Sequence, residues 1–416
     1  MMSFFTDEHP GKPKILFVGL SESTHTHAWI DLLKDTEFNV RLFALPSGVP
    51  PDDWRVPTYV TSYFHAGLNS GTRASLHSSN RAWRFARRNA ARVRRLEFGE
   101  MADRWLAEIV RDWRPDIIHT LGADPAGEYF FRLRERFKLQ GMGKWVLQTR
   151  GGSDMALMQF DSELGPKLAA AVRVCDQVLY DNLENYHILR KMGLSEEQFA
   201  GIAPVPGTGG LDVEKIAARW DGLPSQRRKI VWPKVYETVW SKALPVFEAI
   251  KLSWDRIQPC EIEMLAMNYE ARLCYETLPD HIREYCHSRE RISRESVLDL
   301  MTKARVMLAP SLVDGIPNSL YEAMAAGAFP IVSPLDSIRH LASDEQNVLF
   351  ARNLYPDEIA EALTRAMNDD ALVDATAKRN LELVGRVANR GEVRRHVINF
   401  YQELADQTQT LVAARG

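Results

Sequence analysis

Apolar positions along the chain fall into short runs, many of them rich in Val and Ile. Between the runs lie longer stretches where apolar residues recur every three or four positions. In the first half the runs are KILFVGL (14–20), FNVRLFAL (38–45), IIHTL (117–121), KWVLQT (144–149) and QVLYDN (177–182). Helical spacing appears near 26–35, near 126–138, and in the Trp-, Leu- and Ile-rich stretch ahead of Ile117. The alternation breaks at 201–229, where GIAPVPGTGGLD carries two prolines and four glycines and a basic QRRK follows at 226–229. It resumes with KIVW (229–232), a helical stretch around 241–254, CEIEMLAM (260–267), RVMLA (305–309) and FPIVS (329–333). Continuous apolar strands separated by helices predict parallel sheets covered on both faces. Turn-formers at this density predict an interdomain hinge. The expected fold class is therefore α/β, with two Rossmann-like doubly wound domains. Ligands bind at the carboxyl ends of the strands in such sheets, so two of them joined by a hinge would share a central cleft.

Composition narrows the classes. At 416 residues the chain is long enough for about two or three domains, and 45% apolar with 26% charged residues excludes wholesale disorder. The balance of 52 basic against 55 acidic side chains gives a net charge of −3, with a pI near 6.4. That leaves no global attraction to nucleic acid, so none is expected as a partner and any anion site must be local. The longest stretch free of Asp, Glu, Lys and Arg, 56–72, is full of Ser, Thr, Asn and Gly and is too short and polar to span a bilayer. The opening MMSFFTDEHPGKPK lacks the basic-then-apolar order of a secretory signal. Cys175, Cys260, Cys274 and Cys286 form neither a CxxC pair nor a disulfide framework, so a reducing cytoplasm is the expected compartment. GxxxxGK[ST], HExxH and GxSxG are all missing, no GxGxxG follows the first strand, and no Cys/His cluster has metal-ligand spacing. No metal and no cofactor is expected.

The most informative stretch is RVMLAPSLVDGIPNSLYEAMAAGAFPIVSP (305–334), which reads strand, loop, helix, glycine stop, strand. Gly315 and Pro317 shape the loop, Asn318 or Ser319 caps the helix, and Gly327 ends it. A helix start at the carboxyl end of a parallel strand offers free N–H groups and a positive dipole end to a phosphate or diphosphate. Asp314 and Glu322 frame it. Glu322 either holds a vicinal diol such as a ribose or only complements the helix dipole, the latter worth about 0.3–1 kcal/mol.

DGIPNSLYEAMAAGAFPI resembles the nucleotide-sugar motif EGxPxxxxEAMAxGxPV of the family 4 glycosyltransferases, which are retaining enzymes of GT-B fold. The E-x7-E spacing is kept, with Asp314 in the place of the first glutamate. The resemblance implies that Glu322 binds the donor ribose, that Gly315 and the amides of Asn318, Ser319 and Leu320 lie along the diphosphate, and that Asp314 contacts the transferred sugar. LDV (211–213) is similar to the family's GVD step into the second domain. KIVWPKVYETVWSKAL (229–244) stands where the family has an Arg…Lys clamp on the diphosphate, with Lys242 as the lysine and Lys234 roughly in the arginine's place. PDIIHTLGADPAG (115–127) resembles the HxH segment, with His119 at the first histidine and Leu121 at the second. RGGSD (150–154) is similar to the family's GSD segment, and with the loop SESTHTHAW (21–29) it places Arg150, Ser153, Asp154, His25 and His27 on the acceptor side. Ser153 and Asp154 read equally as helix caps, and His119 equally as a structural histidine.

The expected activity is retaining, metal-independent hexosyl transfer from a nucleotide-diphosphate sugar to a saccharide or lipid-linked acceptor, as in polysaccharide biosynthesis. Asp314, Glu322, Lys242 and His119 would be the catalytic residues. The alternatives are a nucleotide-sugar epimerase or hydrolase of GT-B fold, and a non-catalytic nucleotide-sugar-binding subunit. The expected domains are an acceptor domain over 1–205, a donor domain over 206–390, and a last helix over 391–416 that crosses back. RAWRFARRNAARVRR (81–95) puts Arg81, Arg84, Arg88, Arg92 and Arg95 on one helical face and Trp83, Ala86, Ala90 and Val93 on the other. That face is either solvated or a peripheral contact with anionic lipid at the inner side of the membrane.

Overall fold

The computed structural model describes residues 5–45, 50–51, 54–60, 76–77, 98–150 and 153–413. The basic segment 81–95 lies outside the described residues. Two parallel sheets form. The first contains β1 (Lys14–Gly19), β2 (Asn39–Ala44), β3 (Thr58–Tyr59), β4 (Leu76–His77), β5 (Ile117–Leu121), β6 (Lys144–Gln148) and β7 (Gln177–Leu179), in the order β4-β3-β2-β1-β5-β6-β7. The second contains β8 (Lys229–Trp232), β9 (Glu261–Leu265), β10 (Cys286–Arg289), β11 (Ala304–Ala309), β12 (Phe329–Val332) and β13 (Leu349–Phe350), in the order β10-β9-β8-β11-β12-β13. Both orders reverse direction between two central strands, β1 and β5 in one sheet and β8 and β11 in the other. A crevice opens at such a switch point, so the loops after these four strands are the ones placed to hold ligand.

The long central strands match their apolar runs because both faces are covered and nearly every side chain is buried. The residues of β5 are buried throughout, as are all those of β6 after Lys144. Sequence reading missed β3, β4, β10 and β13. Each is short and lies near an edge, and β10 (CHSR) is apolar only at its first residue. The helix expected near 26–35 is shorter, Thr24–Ile30, closed by a single tight turn over Asp31–Leu33.

The turn-rich stretch 201–229 is not linker throughout. Helix Val213–Ala217 and the turn Pro224–Gln226 already pack with the second sheet's layer. Arg227 of the basic QRRK is buried, and its guanidinium donates to the carbonyls of Asp221, Gly222, Ala304 and Ala326 at 2.7–3.1 Å. Burial lowers its pKa to about 10, which still leaves it charged at neutral pH. A positive charge tying four carbonyls is a scaffold element rather than part of a linker.

The chain crosses between the sheets twice. Leu211 N–H donates to Ala388 O at 2.9 Å and Arg390 N–H donates to Leu211 O at 3.0 Å, so the two crossings pair as a short parallel bridge. Gly210 makes this approach possible. It has φ +78°, and a Cβ there would lie 2.4 Å from Ala388 O. After the second crossing, helix Arg390–Ala413 returns to the first sheet, where Val397, Phe400, Tyr401, Leu404 and Ala405 join Ile15, Phe17, Trp29 and Ile117 in one core.

Tyr401 anchors that return. Trp29 Nε1–H can only donate, so the Tyr401 hydroxyl accepts it at 2.9 Å, and the same hydroxyl is hydrogen-bonded to His119 Nδ1 at 2.5 Å. The hydroxyl is wholly buried, and Tyr401→Phe orphans two further buried polar groups. The variant should lose about 2–4 kcal/mol of unfolding free energy in urea. A change below about 0.5 kcal/mol would mean the bridge contributes nothing.

Candidate active site

β11 runs out at Ala309 into the loop 310–317, and helix Asn318–Ala326 starts from Pro317. Ser337 Oγ–H staples the loop from below, 2.8 Å from Asp314 O and 3.2 Å from Gly315 O. Asp314 Oδ1 accepts the Gly315 N–H at 2.9 Å, and its Oδ2 lies 3.6 Å from Lys234 Nζ, which arrives from the loop after β8. Trp240 O accepts the N–H groups of Leu312 and Val313 at 2.8 and 3.2 Å, and so locks the β8 and β11 loops together. Between them lies a pocket of about 260 Å³, lined by Lys234, Tyr236, Trp240, Val313, Asp314 and Ser319 among others. The Ser319 side chain is only 7% exposed, and its hydroxyl has no hydrogen-bond partner. An orphaned buried hydroxyl beside a helix start costs free energy unless something polar arrives to meet it.

One turn further in, Glu322 is 7% exposed, and its Oε1 accepts from Arg294 Nε at 2.8 Å. Burial raises the Glu322 pKa above the usual carboxylate range, against the opposing pull of Arg294 and Lys234. Sequence reading missed Arg294. It follows Ser293, the cap of helix Arg294–Thr302, and nothing in SRERISRES marks one arginine as the partner of a glutamate on another helix.

Lys242 takes a different position from the expected one. Its Nζ lies 2.9 Å from Glu237 Oε1, while Glu237 Oε2 accepts the N–H groups of Ala243 and Leu244 at 2.8 and 3.2 Å. Glu237 thus fills the start of helix Ala243–Ile257, and Lys242 is absent from the lining of the 260 Å³ pocket, which Lys234 does line.

The first domain faces this edge with the loop after β1. His25 Nδ1 lies 3.3 Å from the Asn318 side-chain nitrogen, and Thr208 Oγ–H of the hinge donates to Asn318 Oδ1 at 2.8 Å. His25 is open to solvent along the cleft yet walled in by both domains. Crowding, then the charges of Arg150, Lys234, Arg294 and Arg291, lowers its pKa to about 4. His27 turns away: Nε2–H donates to Ser21 O, and the ring stacks on Trp54 at 4.4 Å. It borders a second interdomain pocket of about 460 Å³ with Lys215, Arg219, Arg294 and Arg390.

His119 does not reach the cleft. It is fully buried among Phe17, Trp29 and Tyr401, and burial holds its pKa well below the ordinary value, so the ring is neutral. A residue in the middle of a central strand points into a covered face, and this one points at the returning helix. It is therefore a core residue, not a catalytic one. Leu121, at the position of the second histidine, is also buried. Arg150 stands at the end of β6, close enough to shift His25, while Gly151 and Gly152 and the side chains of Ser153 and Asp154 lie outside the described residues. Among the described residues no group of three His, Cys, Asp or Glu side chains is gathered as a metal site requires, and no helix is long and apolar enough to cross a membrane.

Residues 247–382 match the family model described as Glycosyl transferases group 1. This is about a third of the chain. It includes Arg294, Asp314 and Glu322 and leaves out Lys234, Lys242 and the whole first sheet. No curated protein matches the sequence. Among solved structures the chain is similar to sucrose-phosphate synthase from Thermosynechococcus elongatus, with TM-score 0.68, 14% identity, and 94% of this chain and 99% of that chain covered. It is also similar to HepE of Anabaena in complex with UDP and glucose, with TM-score 0.64, 11% identity, and 94% and 100% covered. A UDP-forming trehalose-phosphate synthase from Burkholderia xenovorans gives TM-score 0.64, 13% identity, and 94% and 99% covered. The fold is GT-B, with two Rossmann-like domains.

A carboxyl whose pKa rises on folding favours the folded state only while protonated, and that contribution is lost as pH climbs through the folded value. Ionised Glu322 therefore works against folding at pH 7. Glu322→Gln should raise the thermal midpoint at pH 7, with the gain shrinking as pH falls toward 4.5 and the native carboxyl takes its proton. A variant less stable than the parent at pH 7 would mean that the Arg294 pair outweighs burial.

Proposed function

We propose that this chain is a retaining, metal-independent glycosyltransferase of family 4, which moves a hexosyl group from a nucleotide-diphosphate sugar to a saccharide or lipid-linked acceptor. One observation carries the reading: the orphaned Ser319 hydroxyl and the open start of helix Asn318–Ala326 adjoin a pocket of about 260 Å³, with Asp314 paired to Lys234 on its wall and Glu322 paired to Arg294 one turn along. The group 1 match over 247–382 and the description of a similar structure with UDP-glucose support the same class of donor.

In this reading the diphosphate lies on the amides of Asn318, Ser319 and Leu320, and Glu322 exchanges part of its contact with Arg294 for the two hydroxyls of the ribose. The transferred sugar occupies the pocket against Asp314. The bond from its anomeric carbon to the phosphate oxygen breaks with its electron pair going to the phosphate. The acceptor hydroxyl then forms the new bond from the same face and gives its proton to the departing phosphate oxygen. Charge grows on the diphosphate during this step, so amides and Lys234 already aimed there stabilise the transition state more than the ground state. They take the role that a divalent cation has in other transferases.

Thermal unfolding with UDP, GDP, ADP and CDP tests the donor site. A nucleotide that binds only the folded protein adds about 2.7 kcal/mol at 100 times its Kd. One of the four should raise the midpoint of the parent and fail to raise that of Glu322→Gln, although the variant starts from the higher stability. No shift with any of them would overturn the reading. On the acceptor side, the arginine-rich segment 81–95 would bring the protein to anionic lipid, where basic residues contribute about 1 kcal/mol each. Arg84→Glu with Arg88→Glu should then abolish sedimentation with phosphatidylserine vesicles at low salt and spare the nucleotide shift. A parent protein that ignores such vesicles would leave a soluble saccharide as the acceptor.

A further inference from the structure

His25 is expected on the acceptor side, yet its nearest polar neighbour in the second domain belongs to the donor edge. Asn318 is the first residue of helix Asn318–Ala326, and its side-chain orientation is fixed from behind. The Thr208 hydroxyl donates to the Asn318 side-chain oxygen at 2.8 Å, which leaves the amide nitrogen turned toward His25. That nitrogen can only donate. His25 Nδ1 therefore accepts at 3.3 Å, and the ring proton sits on Nε2. Among the described residues Nε2 has no hydrogen-bond partner. It is an N–H in the cleft, beside the helix start where the Ser319 hydroxyl is also unmet.

We propose that His25 is a donor-binding residue that reaches across the cleft, its Nε2–H hydrogen-bonding to the diphosphate held at the start of helix Asn318–Ala326. This rests on the glycosyltransferase reading and moves His25 from the acceptor to the leaving group. The contact joins the two domains through the ligand, so the donor itself would draw the loop after β1 toward the loop after β11.

The surrounding charges give the contact a second property. Four cations face His25 from three elements: Arg150 after β6, Lys234 after β8, and Arg291 and Arg294 after β10. The acids on the same edge, Asp314 and Glu322, are engaged by Lys234 and Arg294. These surroundings favour neutral imidazole. A sugar nucleotide brings two negative charges, offsets the cations and returns the imidazole toward its ordinary value near 6.5. Donor binding should then take up a proton at Nδ1, which gives up the Asn318 N–H, and the protonated ring would face the phosphate as charge develops on it.

Isothermal titration of the full chain with UDP-glucose, and in a second arm GDP-mannose, reads this directly. Each phosphate of these compounds keeps a single charge from pH 5.5 to 8, so proton uptake reports the protein. In buffers of differing ionisation enthalpy, uptake should reach about half a proton per site at pH 6.5 and vanish at pH 8. Affinity should be about tenfold tighter at pH 5.5 than at pH 8, the linkage expected for a group moving from about 4 to about 6.5. His25→Gln keeps a donor but cannot titrate: it should abolish the uptake and the pH dependence while leaving the thermal midpoint unchanged. His25→Ala should bind about tenfold more weakly at pH 6.5, the loss expected for a hydrogen bond to a charged group. Donor binding with the same affinity and uptake in both variants would overturn the role of His25 and leave the glycosyltransferase reading standing. A parent protein that binds neither compound would remove the reading on which it rests.

Discussion

The paired crossings of the chain at Leu211 and at 388–390 are the constraint on which the rest of the molecule depends. Two strands of backbone pass between the domains, and hydrogen bonds at 2.9 and 3.0 Å make them one hinge. A single crossing would leave the domains free to rotate about many bonds. Two that are bonded to each other restrict the motion to opening and closing about one line. Arg390 reinforces the register from the second crossing, donating to Thr208 O at 3.2 Å and to Ala28 O at 2.9 Å, so it holds the hinge and the first domain's opening helix together. Asn318 can stand opposite His25 only because this hinge sets the separation. The last helix continues the same constraint by burying Phe400, Tyr401 and Leu404 in the first domain's core.

The cleft edge itself is built from charges that the fold tolerates rather than needs. Glu322 is buried on a helix whose other residues are small or apolar, and Arg294, itself nearly half exposed, answers it from one side only. An ion pair of this kind is a weak source of stability because desolvation opposes the attraction. The orphaned Ser319 hydroxyl is a further cost at the same helix start. Together with Asp314, Lys234 and the cation-crowded His25, these groups form a charged surface along the cleft.

The same reasoning separates residues that look alike in sequence. His25 and His27 follow the central strand β1, and His119 lies within the adjacent β5. His119 is the bridge in a buried Trp29–Tyr401–His119 chain, His27 is engaged by Ser21 O and Trp54, and only His25 keeps an unmet N–H in the cleft. Lys234 and Lys242 divide similarly, one on the pocket wall with Asp314 and the other committed to Glu237.

By itself the sequence determined the two α/β halves, their central strands, the hinge beginning at 201 and the loop-helix segment 314–327. These features rest on local physics. Doubly covered strands must be continuously apolar, a tight crossing needs glycine, and a helix start needs a cap and a stop. It did not determine that Arg227 is a scaffold residue, because its burial against four carbonyls depends on contacts with Ala304 and Ala326 far along the chain. Nor did it determine β10 or β13, whose pairing is supplied by a neighbouring strand and not by their own composition. Only the tertiary structure decided that Arg294 answers Glu322, that Lys234 lines the pocket that Lys242 does not, and that His119 belongs to the core. Each of these is a choice between chemically similar side chains, made by which partner lies within about 3 Å once two sheets and a returning helix have packed. No local pattern carries that distance.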